Sequence, residues 1–164
     1  MPVVIVLVQI LSVLSVLSSG IRAASSFDDF LIPHNQERSQ VSGLGVLKWS
    51  KDLERNASGL VAEQKNKSAC GFADLRGYRF GANQAAANFK LTPGQVVASW
   101  IEEKIWYSHA NNSCMEGHQC GTYTQVVWNT TEELGCSQSV CSGKNSLTIC
   151  LYNPPGNVVG QAPY

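Results

Sequence analysis

The chain has 164 residues, 44% of them hydrophobic and 15% charged, a composition that fits one globular domain and excludes disorder and collagen-like repeats. Lys plus Arg and Asp plus Glu both number 12, so the formal net charge is zero. No long-range field then steers the chain onto nucleic acid or an anionic lipid surface.

Residues 3–17 are nearly all Val, Ile and Leu, interrupted only by Gln9, Ser12 and Ser15. That run is too short for a comfortable membrane span. Ser18, Ser19 and Gly20 follow, then Ala23 and Ala24. Small residues after such a run mark a signal-peptide cleavage region. The expected signal peptide is 1–24, cleaved at an approximate point, although no Lys or Arg stands in its first nine residues. The remaining 25–164 form the expected single domain, long enough to bury one core. No second apolar run of that length occurs, so no stable membrane insertion is expected after cleavage, and a secreted, extracellular monomer is.

Residues 27–39 read as a helix, with Phe27, Phe30, Leu31 and His34 at i, i+3, i+4 and i+7. Pro33 inside it implies a kink or a late start. Ser50 is a good N-cap for a second helix, whose inner stripe is Leu53, Ala57, Leu60, Val61 and Gln64. Residues 66–87 show little periodicity and read as a long ordered loop pinned by Cys70. Thr92-Pro93 opens a third helix, with Val96, Val97, Trp100 and Ile101 on its stripe, running to about Trp106. Then the period changes. Residues 123–128, 134–140 and 147–152 are short β-branched, aromatic and Cys-containing runs separated by turn residues, which predicts an antiparallel meander. Helices first and strands later predict an α+β domain.

All six cysteines lie between Cys70 and Cys150. An even number in a secreted chain reads as a disulfide framework. Spacing alone leaves many pairings open. Cys114 and Cys120 can close a short loop, Cys136 and Cys150 can pair across a sheet, and Cys70 would then meet Cys141. No C-x2-C pair is present to suggest structural zinc. Sequons begin at Asn56, Asn66, Asn111 and Asn129, and secretion makes each a possible N-glycosylation site.

His34, His109 and His118 are the only histidines, and no H-E-x-x-H, G-x-S-x-G or P-loop motif occurs. His34 on a helix stripe reads as a hydrogen-bonded core residue, and His118 as exposed. Glu102 and Glu103 are adjacent on a helix, so they point apart rather than forming a carboxylate pair.

His34-Asn35 with Arg38, Trp49 and Trp100-Ile101-Glu102-Glu103-Lys104 resemble the CAP superfamily (SCP domain). So do the run from Cys120 to Trp128, Leu134-Gly135-Cys136 and Tyr152-Asn153-Pro154-Pro155-Gly156-Asn157. The ending Gly160-Gln161-Ala162-Pro163-Tyr164 resembles the plant pathogenesis-related class 1 branch. The resemblance covers nearly all of 25–164. It implies an α-β-α sandwich with a central antiparallel sheet and the disulfides Cys70–Cys141, Cys114–Cys120 and Cys136–Cys150.

The same resemblance implies a cavity of two histidines and two glutamates that can hold Zn²⁺. Here one family histidine is replaced by Thr122 and one glutamate by Ala82. No histidine stands in the Ala73-Asp74-Leu75 stretch, so Glu103 is the remnant. Asp74 and His118 are the nearest substitutes for the missing ligands. A methyl group cannot ligate zinc and a threonine hydroxyl does so poorly. No metal, no other cofactor and no catalytic residue are therefore expected.

The function implied is that of a secreted, non-enzymatic plant defence protein. One route is sterol or lipid binding, with candidate apolar lining at Phe80, Ala85, Ala86, Ala87, Phe89 and Leu91. The other is release of a C-terminal signalling peptide, residues 154–164, by cleavage between Asn153 and Pro154, for recognition by a receptor. The alternatives are an extracellular metal-assisted hydrolase or protease built on Glu103, and a protein-interaction module presenting disulfide-stapled loops.

Overall fold

The computed structural model describes residues 27–67 and 70–164; the expected signal peptide lies outside the described residues. Helix α1, Asp28–Arg38, buries Phe30, His34 and Arg38. Asp28 and Asp29 in its first turn and Arg38 in its last suit the helix dipole. Pro33 lies within the helix and does not delay its start. After the two-residue strand β1, Lys48–Trp49, helix α2 runs Lys51–Lys67 and buries Leu53, Ala57 and Val61. Helix α3, Pro93–Ile101, begins with a capping box. Thr92 Oγ1 accepts the Gln95 N–H at 3.2 Å, and Gln95 Oε1 accepts the Thr92 N–H at 2.9 Å. The end of the expected third helix tightens into a 3₁₀ turn, Glu102–Trp106.

Two expectations fail locally. The loop expected over 66–87 contains strand β2, Gly81–Ala87. Its Gly/Ala composition has weak β propensity, and it becomes a strand only by pairing along its whole length with β6, Ser146–Asn153. The strand expected over 123–128 is instead helix α4, Gly121–Val126. Its β-branched and aromatic content misleads, because charged side chains hold both ends of this six-residue helix.

The sheet order is β1-β5-β6-β2, where β5 is Glu133–Val140. β5–β6 and β6–β2 are antiparallel, but β1 pairs with β5 in parallel. The sheet is therefore mixed, not an all-antiparallel meander. A separate ribbon joins β3, Tyr107–Ser108, to β4, Ser113–Cys114.

Helix α2 covers one face of the sheet, and α1, α3 and α4 cover the other, which completes an α-β-α sandwich. Cys136 and Cys150 face each other in register and are bonded; Cys70 is bonded to Cys141 and Cys114 to Cys120. Gly135 lies on the α2 face, where an added Cβ would run into the backbone of Leu53 and Glu54. Absence of a side chain there is what lets α2 sit directly on β5.

Candidate functional site

On the α1 face the core is partly polar. His34 is fully buried, with Nδ1 2.7 Å from the Phe30 carbonyl and Nε2 2.8 Å from the Tyr152 hydroxyl. Donation from Nδ1 to the carbonyl leaves Nε2 as the acceptor. Burial pulls the His34 pKa down to about 4 and pushes that of Tyr152 up. Asn83 then donates through Nδ2 to Tyr152 Oη at 3.1 Å and to the Thr122 carbonyl at 2.9 Å.

Arg38, 1% exposed, donates to four carbonyls: Gly45 at 2.7 Å, Val126 at 3.1 Å, Trp128 at 2.8 Å and Thr131 at 3.2 Å. Its guanidinium thus lies at the C-terminal end of α4, where a cation is favoured. Burial lowers its pKa to about 10, so it remains charged near neutrality. At the other end of α4, Glu103 Oε2 accepts the N–H of Thr122 at 2.8 Å and that of Tyr123 at 3.3 Å. One carboxylate and one guanidinium therefore bracket this helix.

The remnant positions of the metal cavity come together only in part. Thr122 lies beside Glu103, and its hydroxyl donates to the Trp100 carbonyl at 3.4 Å. Ala82 is opposite Leu151 in register and packs into the apolar cluster on the α2 face. Asp74 is exposed and paired with Arg76. His118 is exposed and stacked on Trp106, with ring centroids 3.6 Å apart. His109 stacks on Tyr164 at 4.4 Å. Among the described residues, no three His, Cys, Asp or Glu side chains gather as a metal site. The residues present do not fit Zn²⁺: the expected carboxylate caps a helix, and the buried imidazole has both nitrogens engaged.

The apolar lining expected before Thr92 is likewise dispersed. Phe80 packs on the α2 side, Ala85 and Leu91 pack against the α1-side core, and Phe89 is exposed. These residues therefore do not line one groove. The open apolar groove runs instead between α1 and the start of α3. It measures about 540 Å³ and is lined by Asp28, Asp29, Ile32, Pro33, Thr92, Pro93 and Gly94. A second cleft of about 390 Å³ adjoins it through Asp29 and Pro93 and includes Phe27, Phe30 and Trp49. Sequence reasoning missed Ile32. Its one signal was a large apolar residue off the inner stripe of α1, where it is 50% exposed.

Residues 154–164 lie docked on the body. Thr131 Oγ1 donates to the Pro154 carbonyl at 2.9 Å, and the Gly156 N–H donates to Gln125 Oε1 at 3.1 Å. A Cβ on Gly156 would come within 2.6 Å of Trp128, so only glycine lets the backbone approach this closely. Asn157 Nδ2 donates to the Gly121 carbonyl at 2.8 Å, and Asn129 N–H to that of Pro163 at 2.7 Å. Of the sequon residues, Asn66, Asn111 and Asn129 are exposed and Asn56 is half-buried within α2.

Residues 31–152 match the model of the cysteine-rich secretory protein (CAP) family. The STS14 protein of Solanum tuberosum is 47% identical over 138 residues, 83% of this chain, and the match spans only 64% of that protein's length. Pathogenesis-related protein 1B of Nicotiana tabacum is 34% identical over 96% of this chain and 92% of its own. Among solved structures, BmVAL-1 superposes with a TM-score of 0.70 at 22% identity, over 90% of this chain and 85% of that one, which shows the shared fold. With the α-β-α sandwich and its disulfides, these matches place the chain in the cysteine-rich secretory protein (CAP) family, in its plant pathogenesis-related class 1 branch.

Proposed function

We propose that this chain is a secreted, non-enzymatic plant defence protein that captures a sterol or a related lipid in the groove between α1 and α3. The observation that carries this is the open apolar groove itself, with Ile32 half-exposed at its wall. Lipid capture needs apolar volume and no metal. A hydrolase needs a base, an electrophile and a positioned water. The one carboxylate at the expected position, Glu103, is committed to two backbone amides.

Titration of labelled sterol into the purified, disulfide-intact protein tests the proposal. Saturable binding unmoved by zinc or by chelator is the expected result, with Ile32→Asp weakening it at least about tenfold through lost apolar contact. Chelator-sensitive binding, binding indifferent to Ile32→Asp, or no saturable binding overturns it.

A second reading is release of residues 154–164 as a signalling peptide for a receptor. It draws support from the exposure of Pro154 and Pro155 where β6 ends, a place a protease can reach. The docking contacts of the segment still hold it on the body after a cut, so release needs both cleavage and the loss of those contacts. Incubation with extracellular fluid of plant tissue, followed by mass spectrometry, should yield a fragment beginning at Pro154; an intact terminus after prolonged incubation overturns this reading.

A further inference from the structure

We infer that Asn111 is the principal N-glycan acceptor of this chain, and that its glycan covers the docked segment 154–164. All four sequons satisfy the same N-x-[ST] motif, but the fold treats them differently. Asn56 is half-buried in α2 and donates through Nδ2 to the Asp52 carbonyl at 2.7 Å. Asn129 is exposed, but the hydroxyl of its sequon belongs to Thr131, which is 2% exposed and bonded to the Pro154 carbonyl. Asn66 lies in the last turn of α2. Asn111 ends the exposed 3₁₀ turn His109–Asn111, and Ser113 Oγ donates to its Oδ1 at 2.9 Å. Here the sequon's hydroxyl and amide already meet, both are exposed, and Nδ2 faces no competing partner that buries it.

The transfer forms a bond between Asn111 Nδ2 and C1 of the first sugar of a polyprenyl-pyrophosphate oligosaccharide. The C1–O bond breaks, the lipid pyrophosphate leaves with the electron pair, and Nδ2 gives up one proton. The consequence follows from the neighbours. Asn112 Nδ2 donates to the Gln161 carbonyl at 3.0 Å, and His109 stacks on Tyr164. A hydrated glycan rooted between them stands over the end of the segment and hinders proteases there.

The inference rests on entry into the secretory pathway, as the proposed function does. The test is the full chain expressed with its N-terminal segment in eukaryotic cells, as wild type and as Asn111→Gln, Ser113→Ala and Ser113→Thr. Peptide maps of medium and cells, read before and after an amidase that turns occupied Asn into Asp, report occupancy at each sequon. Asn111 should be occupied in most secreted chains, bare in Ser113→Ala, and occupied in Ser113→Thr. Enzymatic deglycosylation of the folded protein should speed subtilisin removal of residues 154–164 at least about threefold, with no such change in Asn111→Gln. Secreted chain bare at Asn111, or a cleavage rate unmoved by deglycosylation, overturns the inference. Chain found only inside cells overturns the secretory reading on which both proposals rest.

Discussion

On the α2 face of the sheet, Leu53, Ala57 and Val61 meet Leu147, Ile149 and Leu151 in a wholly apolar contact. On the α1 face, Phe30, Val97 and Leu134 share the interior with His34, Arg38, Asn83, Gln125 and Tyr152. The first contact is held by burial, at about 2 kcal/mol for each large side chain. The second adds hydrogen bonds, each worth only about 1 kcal/mol net but costlier to leave unmade. Truncation on the α2 face should therefore cost what the lost volume costs. Removal of one partner on the α1 face should cost more than the bond it made, and the pH dependence of the wild type should arise on this face.

The sharpest test of that contrast is Arg38→Met, which keeps length and removes the donors. Four carbonyls lose their common partner, and the expected loss is about 4 kcal/mol in urea unfolding. A loss under about 1 kcal/mol would erase the distinction between the faces. Leu53→Ala on the opposite face should cost about 3 kcal/mol, the same at mildly acidic and neutral pH.

Acid should cost the wild type about as much again. His34 has an ordinary pKa of 6.5 and a folded pKa of about 4. The unfolded chain takes up the proton first, so His34's share of the stability is complete above 6.5. It falls as the pH drops and levels off below about 4, after a loss of about 3 kcal/mol. His34→Gln should flatten that slope, and an unchanged slope would remove His34 as its source. The smallest effect is expected at Glu103→Gln, about 1 kcal/mol, because the neutral amide still accepts from the α4 N–H groups without the charge. Dialysed protein of either form should carry no stoichiometric zinc by elemental analysis; a full equivalent in the wild type, lost in Glu103→Gln, would restore the metal site.

Periodic burial made α2 legible: the spacing of Leu53, Ala57 and Val61 is written locally, and the observed helix buries those same residues. The capping box at Thr92 and Gln95 is local for the same reason. By contrast, nothing within residues 121–126 says helix. That conformation depends on Glu103 and Arg38, which arrive from distant parts of the chain. Strand β2 was hidden in the same way, because its Ala-rich run takes its order from β6. For the site, Thr122 and Glu103 could be read off as positions, but not that Ala82 would lie on the other face of the sheet. Nor could spacing show that Gln125, Trp128 and Thr131 would clasp residues 154–157.

By itself the sequence determined the family and the helices α1 to α3, since side-chain chemistry and short-range periodicity suffice for these. Only the tertiary structure decided the parallel pairing of β1 with β5, the helical state of α4, the position of the open groove at Ile32 and the docking of the C-terminal segment. Each of those depends on contacts between residues far apart in the chain, whose net worth is settled only when both partners leave water together.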